Sequence, residues 1–358
     1  MSTADTTLGE LTRKQLQNLC RVVGMDQAEP VRLLGEVMGA VHDRPLAQPP
    51  LWPSNIADDA TPVEFSVQVT GSGRPSLRIL AETLPADPGP VANLRAAKDL
   101  VARLAERYDL PLDRLRAVED LFSPQDPQGR FSWWFSFIFD ATGRPAFKVY
   151  FNPDVRGADR APQVVEEAFR RLGLDHAYEG VREHALCREA DRMTFFALDL
   201  DHSPQSRVKL YISQHDAGID AVERAASAVP GIDRYQVGDF CRLLAPGTER
   251  FPGRPLVSSY SFVEGDREKP SNYSIYLPLR DYVPDDSVAR DRVRDHLRDR
   301  LIDPALLDEV IDAITDRDLA ARPGLLAHVS LRMSPDETGT TLYVSSEAYG
   351  GNPPRTAV

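Results

Sequence analysis

A closed antiparallel β-barrel of ten strands with helices packed on its outside, an α+β architecture, is the fold class this sequence predicts. Three observations predict it. Runs of alternating apolar and polar residues come in pairs joined by short turns, and amphipathic helical stretches separate one pair from the next. A tyrosine near the end of an alternating run also recurs, as Tyr150, Tyr211, Tyr276 and Tyr343, at spacings of 61, 65 and 67 residues. Every second side chain of a strand shares a face, so each run has one polar and one apolar side. Closure puts the apolar sides under the helices and the polar sides around a lumen. A parallel βα barrel would place a helix after every strand, which the paired strands exclude.

The elements follow in order. Thr7 to Val23 and Val31 to His42 have helical spacing of leucine and valine, and the proline-rich stretch from Arg44 to Asp59 ends that pattern. Val63 to Val69 alternates strictly, Gly71-Ser72-Gly73 signals a turn, and Leu77 to Leu80 returns as the first hairpin. Pro90 to Tyr108 is an amphipathic helix built on Leu94, Ala97, Leu100, Val101 and Leu104. Phe131 to Asp140, the turn Ala141-Thr142-Gly143-Arg144, and Ala146 to Phe151 form the second hairpin. Helices over Pro162–Leu172 and Tyr178–Cys187 precede a third, from Met193 to Asp199 and Ser206 to Ile212. Helices over Ile219–Ala228 and Tyr235–Leu244 precede a fourth, and helices over Ser287–Leu301 and Pro304–Ile314 a fifth, from Leu326 to Met333 and Thr340 to Ser346. No linker divides these units, so residues 1–358 read as one domain, with a lead-in over 1–60, the repeats over 61–349 and a tail over 350–358.

The polar faces carry the functional signal. Arg207, Lys209 and Tyr211 share one face of the third hairpin's return strand, Lys148 and Tyr150 that of the second, and Glu64 that of the first strand. A lone Lys-x-Tyr is most often a solvated face; its recurrence at repeat spacing favours the lumen. Trp133 and Trp134 point to opposite sides, and the neighbouring serines 132 and 136 favour Trp134 as the lumen member. Tyr343 shares its parity with Tyr349, which competes for the same role, and His328 and Arg332 are further pocket candidates on one strand face.

The formal net charge is −12, from 54 acidic and 42 basic residues, so a nucleic-acid or anionic-membrane surface is not expected and any anion must be held by a local cluster. Cys20, Cys187 and Cys241 have neither disulfide nor zinc spacing, which fits a reducing cytoplasm. No run approaches the roughly 18 apolar residues of a membrane span. His202 and His215 lack a third ligand at metal spacing and read as loop histidines. Asp58-Asp59 and Asp285-Asp286 lack the following aspartate of a magnesium-binding DDxxD run, and P-loop, dinucleotide and nucleophile-elbow motifs are absent.

The ordered set of Val63-Glu64-Phe65-Ser66, Lys148-x-Tyr150, Arg207-x-Lys209-x-Tyr211 and Tyr276 in helix-flanked hairpins resembles the aromatic prenyltransferases of the dimethylallyltryptophan synthase type, whose fold is the ABBA or PT barrel. The resemblance covers the chain from about residue 60, and the length suits the compact bacterial branch. It implies transfer of a dimethylallyl group from dimethylallyl diphosphate to the indole of L-tryptophan or a derivative, without magnesium or another cofactor. It also implies roles: Arg78, Lys148, Arg207 and Lys209, with Tyr211 and Tyr276, for the diphosphate; Tyr150, Tyr211, Tyr276 and Tyr343 as a shield for the allyl cation; and Glu64, with Trp134 and His328, for the acceptor, Glu64 accepting the indole N–H. Ser274 stands where a glutamine is often found, a departure from the family pattern that bears on one diphosphate hydrogen bond. Another aromatic acceptor (a tyrosine, a phenol or a cyclic dipeptide), a longer prenyl donor, or a non-catalytic carrier of isoprenoid diphosphates fits the same lumen. A monomer or homodimer is expected.

Overall fold

A computed structural model describes residues 6–71, 73–140 and 143–350. Ser72 and Ala141–Thr142 of the predicted turns, and all but the first residue of the predicted tail, lie outside the described residues. The chain forms five repeats of two helices and a hairpin. They are α1 (Leu8–Val22), α2 (Ala28–Met38), β1 (Val63–Thr70) and β2 (Ser76–Ala81); then α3 (Pro90–Tyr108), α4 (Asp113–Val118), β3 (Trp133–Phe139) and β4 (Pro145–Phe151). The third is α5 (Ala161–Arg171), α6 (Asp175–Ala185), β5 (Asp191–Asp199) and β6 (Val208–Gln214). The fourth opens with β7 (Ala217–Gly218), α7 (Ile219–Ala226), α8 (Tyr235–Leu244) and β8 (Arg250–Phe251) before β9 (Leu256–Phe262) and β10 (Asn272–Pro278). The fifth is α9 (Asp286–Asp299), α10 (Ala305–Ile314), β11 (Leu326–Met333) and β12 (Thr338–Ser345).

Local chemistry accounts for the element ends. Thr7 and Glu10 form a reciprocal capping box that starts α1, and Asp285 caps α9 through the Val288 N–H at 2.9 Å. Pro90 opens α3, where a missing N–H costs nothing, and Asp109 ends it in the left-handed region at φ 53°.

The ten long strands close in the order β1-β12-β11-β10-β9-β6-β5-β4-β3-β2, each antiparallel to its neighbours, while β7 and β8 pair separately. Their outward residues, such as Phe65, Phe137, Phe196, Leu210, Ile275 and Leu342, are buried with the helices in one apolar cluster. That burial, at roughly 25 cal/mol per Å² of apolar surface, is what drives closure. Among the described residues no helix is long and apolar enough to cross a membrane.

Several elements depart from expectation. The short α4 buries only Leu115 and Val118, too little for a periodic signal. Strand β5 starts at Asp191 and carries a bulge between Met193 and Phe195, which the alternation pattern does not announce. Tyr349 lies beyond the end of β12, packs on the outer cluster and donates its backbone N–H to Asp59 at 2.9 Å, so Tyr343 alone of that pair enters the lumen.

Phe122 joins repeats: its ring stacks on Phe151 at 4.7 Å and Phe196 at 5.3 Å, and its carbonyl accepts Trp133 Nε1–H at 3.2 Å. The Phe122→Ala variant is expected to lose about 3–5 kcal/mol of stability, read as a lowered midpoint in urea unfolding with unchanged slope.

Candidate active site

Ten strands enclose more space than side chains fill, and small residues facing inward (Ser66, Ser136, Ser274, Ser330 and Thr341) keep it open. The resulting cavity is about 2560 Å³, against roughly 300–1,000 Å³ for a pocket holding one small ligand. Of the residues singled out above on the predicted polar faces, all but Tyr349 line it: Glu64, Arg78, Trp134, Lys148, Tyr150, Arg207, Lys209, Tyr211, Tyr276, His328, Arg332 and Tyr343. Arg207 does so from the residue before β6 begins.

The cations form one group. Lys148 lies in the field of Arg207 and Arg78, Lys209 in that of Lys148, Arg207 and Arg78, and Arg332 in that of Arg207 and Arg78. Burial and this mutual repulsion push the Lys148 ammonium down to about 8 and Lys209 well below the usual lysine range. Asp199 at the end of β5 answers part of the charge, 2.9 Å from Lys148 Nζ and 2.6 Å from Arg207 Nε. Arg332 pairs with Glu337, whereas Arg78 and Lys209 make no ion pair among the described residues. The desolvated, uncompensated cations suit an anion of more than one charge.

An aromatic belt adjoins them. Ring centroids step from Tyr150 to Tyr211 at 5.8 Å, to Tyr276 at 5.9 Å and to Tyr343 at 5.8 Å, and His328 lies 6.3 Å further. Phe195, turned inward at the β5 bulge, meets Tyr211 at 5.6 Å and Trp134 at 5.4 Å, and Phe131 stacks on Trp134 at 4.0 Å. Lys209 Nζ sits 4.9 Å from the Tyr211 ring centre and Lys148 Nζ 5.9 Å from that of Tyr150, so cation site and π-faces are contiguous. Burial raises the Tyr150, Tyr211 and Tyr343 hydroxyls, which keeps these rings neutral.

A third group gathers around Glu64. Burial, reinforced by the Asp58 carboxylate, pushes the Glu64 carboxyl up to about 8. Asp58 is itself held by Arg254 and by Arg280 Nη1 at 3.0 Å. Burial lowers the His328 imidazole to about 4, so it is neutral near pH 7. Glu82, buried beside Trp134 and Trp52, accepts the Ser54 hydroxyl at 2.6 Å and is raised by burial to about 7.

The sequence reading missed Phe195, Asp199, Glu82 and the Asp58–Arg254–Arg280 cluster. Asp199 shares strand parity with Ala197 and Phe195 and was legible as a lumen acid; the cluster comes from separate loops and had no local pattern. Among the described residues, no group of three or more His, Cys, Asp or Glu is arranged to hold a metal ion.

Residues 32–303 match the sequence profile of the family described as tryptophan dimethylallyltransferase. The chain is similar to the 6-dimethylallyltryptophan synthase of Micromonospora olivasterospora, crystallised in complex with DMASPP and Trp, with 47% identity over 98% of this chain and 100% of that one and a TM-score of 0.94. It is also similar to the 5-dimethylallyltryptophan synthase of Streptomyces coelicolor, at 32% identity, 96% and 99% coverage and a TM-score of 0.90. The prenyltransferase PriB, in a ternary complex with L-tryptophan and dimethylallyl thiolodiphosphate, is 36% identical over 99% of this chain and 100% of that one, with a TM-score of 0.90.

The raised Glu64 carboxyl has a direct readout. In the empty protein the infrared C=O band of a neutral carboxylic acid is expected to fade with a midpoint near pH 8, and Glu64→Gln is expected to remove that step.

Proposed function

This chain belongs to the tryptophan dimethylallyltransferase family, and from that premise we propose that it transfers the dimethylallyl group of dimethylallyl diphosphate to the indole ring of L-tryptophan, without a metal ion. The observation that carries the reading is the order of the lumen: a cation group, then an aromatic belt, then a buried carboxyl. The allylic C–O bond breaks, and the leaving diphosphate keeps the electron pair. Arg78, Lys148, Arg207 and Lys209 stabilise the charge that develops on it, the task a bridging magnesium performs in other isoprenoid enzymes. The allyl cation meets Tyr150, Tyr211, Tyr276 and Tyr343, whose π-faces attract it and whose bulk keeps out water. A ring carbon of the indole attacks, and loss of its proton restores aromaticity.

Glu64 accepts the indole N–H, which orients the acceptor and enriches its ring in electrons, with Trp134 and His328 beside it. The ionised carboxylate is the stronger acceptor, so acceptor capture weakens as pH falls below about 8. The relatives crystallised with Trp support a free amino acid as acceptor. Asp58, Arg254 and Arg280 offer both signs of charge near Glu64, as an ammonium and a carboxylate require. The three cysteines are free, in keeping with a reducing cytoplasm.

Incubation with dimethylallyl diphosphate and L-tryptophan in EDTA is expected to yield tryptophan carrying one prenyl unit by mass spectrometry. Lys148→Ala and Arg207→Ala should each lower turnover on the order of a hundredfold with the far-ultraviolet circular dichroism unchanged. Diphosphate bound and returned uncleaved by the wild type would instead identify a carrier. Arg254→Ala is expected to raise KM for L-tryptophan roughly tenfold while leaving that for tryptamine, which lacks the carboxylate, near its wild-type value. An equal rise for both acceptors would remove Arg254 from carboxylate recognition.

A further inference from the structure

Asp199, the acid paired with Lys148 and Arg207 within the cation group, is unexplained by the reaction. A carboxylate near a site for diphosphate repels the substrate, so its presence calls for a compensating gain. Its placement is over-determined. Asp199 lies directly across the β4–β5 ladder from Lys148 and sits 2.9 Å from its Nζ. Its other oxygen takes Arg207 Nε–H at 2.6 Å and the Arg207 backbone N–H at 3.1 Å. The Asp199 backbone is tied to the same turn, donating to the Arg207 carbonyl at 2.9 Å and accepting the Ser206 hydroxyl at 3.0 Å. From outside the barrel, Arg114 of α4 holds the Ser206 carbonyl at 2.9 Å.

We infer that Asp199 is a positioning residue for the diphosphate: a resident counter-charge that fixes Lys148 and Arg207 on one side of the site and keeps Lys148 protonated while the lumen is empty. The inference rests on the proposed function, which supplies the diphosphate. The groups facing Lys148 decide its charge. Arg207, Lys209 on β6 and Arg78 on β2 all oppose its proton, Tyr150 on its own strand is neutral, and Asp199 is the attraction that opposes them. Burial alone would raise the Asp199 carboxyl, but Lys148 and Arg207 more than offset this and hold it well below the usual carboxylate range, so it stays ionised. Arg114 adds a third positive neighbour, shared with Asp201 and Glu264. Lys209 has no such partner and loses its proton more readily. The donor therefore meets a site in which two of its cations are already charged and aimed.

The test is calorimetric binding of inorganic diphosphate to the full chain at pH 7, in two buffers of different ionisation enthalpy, which counts the protons taken up per ligand bound. The ligand's own protons cancel when variants are compared. Asp199→Asn is expected to take up about one more proton than the wild type, because its Lys148 starts neutral and must be recharged, and to bind on the order of tenfold more weakly. Asp199→Glu, which restores the charge, is expected to return proton uptake to the wild-type value. Equal uptake by Asp199→Asn and the wild type would overturn the inference and leave Asp199 a structural ion pair. If Asp199→Asn does not fold, Asp199→Ser decides on the same criterion: uptake raised by about one proton supports the inference, and uptake at the wild-type value overturns it. A wild type that binds no diphosphate would instead overturn the reading of the whole cation group.

Discussion

Turning the polar faces of ten antiparallel strands inward is the constraint on which the rest of this structure depends. An open sheet with these residues would leave Arg78, Lys148 and Lys209 in water, where each is an ordinary surface cation. Closure buries both lysines and places the three within one another's fields, which drives both lysines down. The opposite faces make closure possible. Phe65, Phe137, Phe196 and Ile275 need cover, and the two helices of each repeat supply it.

The same enclosure treats the two ends of the lumen differently. Around the lysines the neighbours are cations, and one acid relieves part of the repulsion. Around Glu64, burial, reinforced by the Asp58 carboxylate, raises the carboxyl instead. Between them Tyr150, Tyr211 and Tyr343 stay neutral because burial disfavours phenolate. One enclosure thereby holds three chemically different groups side by side: cations, neutral aromatic rings and a raised carboxyl.

The sequence reading reached the lumen-facing residues of the long strands because alternation is a local property. Lys148 and Tyr150, or Arg207, Lys209 and Tyr211, share a face wherever the strand is placed. Trp134 was separated from Trp133 by the serines on its own parity. The reading failed where the backbone broke the period or the chain left the strands. The β5 bulge reset the register beside Phe195, and Tyr349 kept the parity of Tyr343 on paper although β12 had already ended. Asp58, Arg254 and Arg280 are far apart along the chain, on the lead-in and on two connections, and meet only at the mouth of the barrel.

What the sequence determined by itself was therefore the repeat, the pairing of strands into hairpins and the face on which each functional side chain lies, since these follow from periods of about 2 and 3.6 residues. What only the tertiary structure decided was the electrostatics: which cations share a counter-charge, which carboxyls burial raises, and which loops bring Asp58, Arg254 and Arg280 together. Those properties depend on distances across the lumen and on how deeply each side chain is buried. Neither is encoded in any short stretch of chain, because each arises only when all five repeats close on one another.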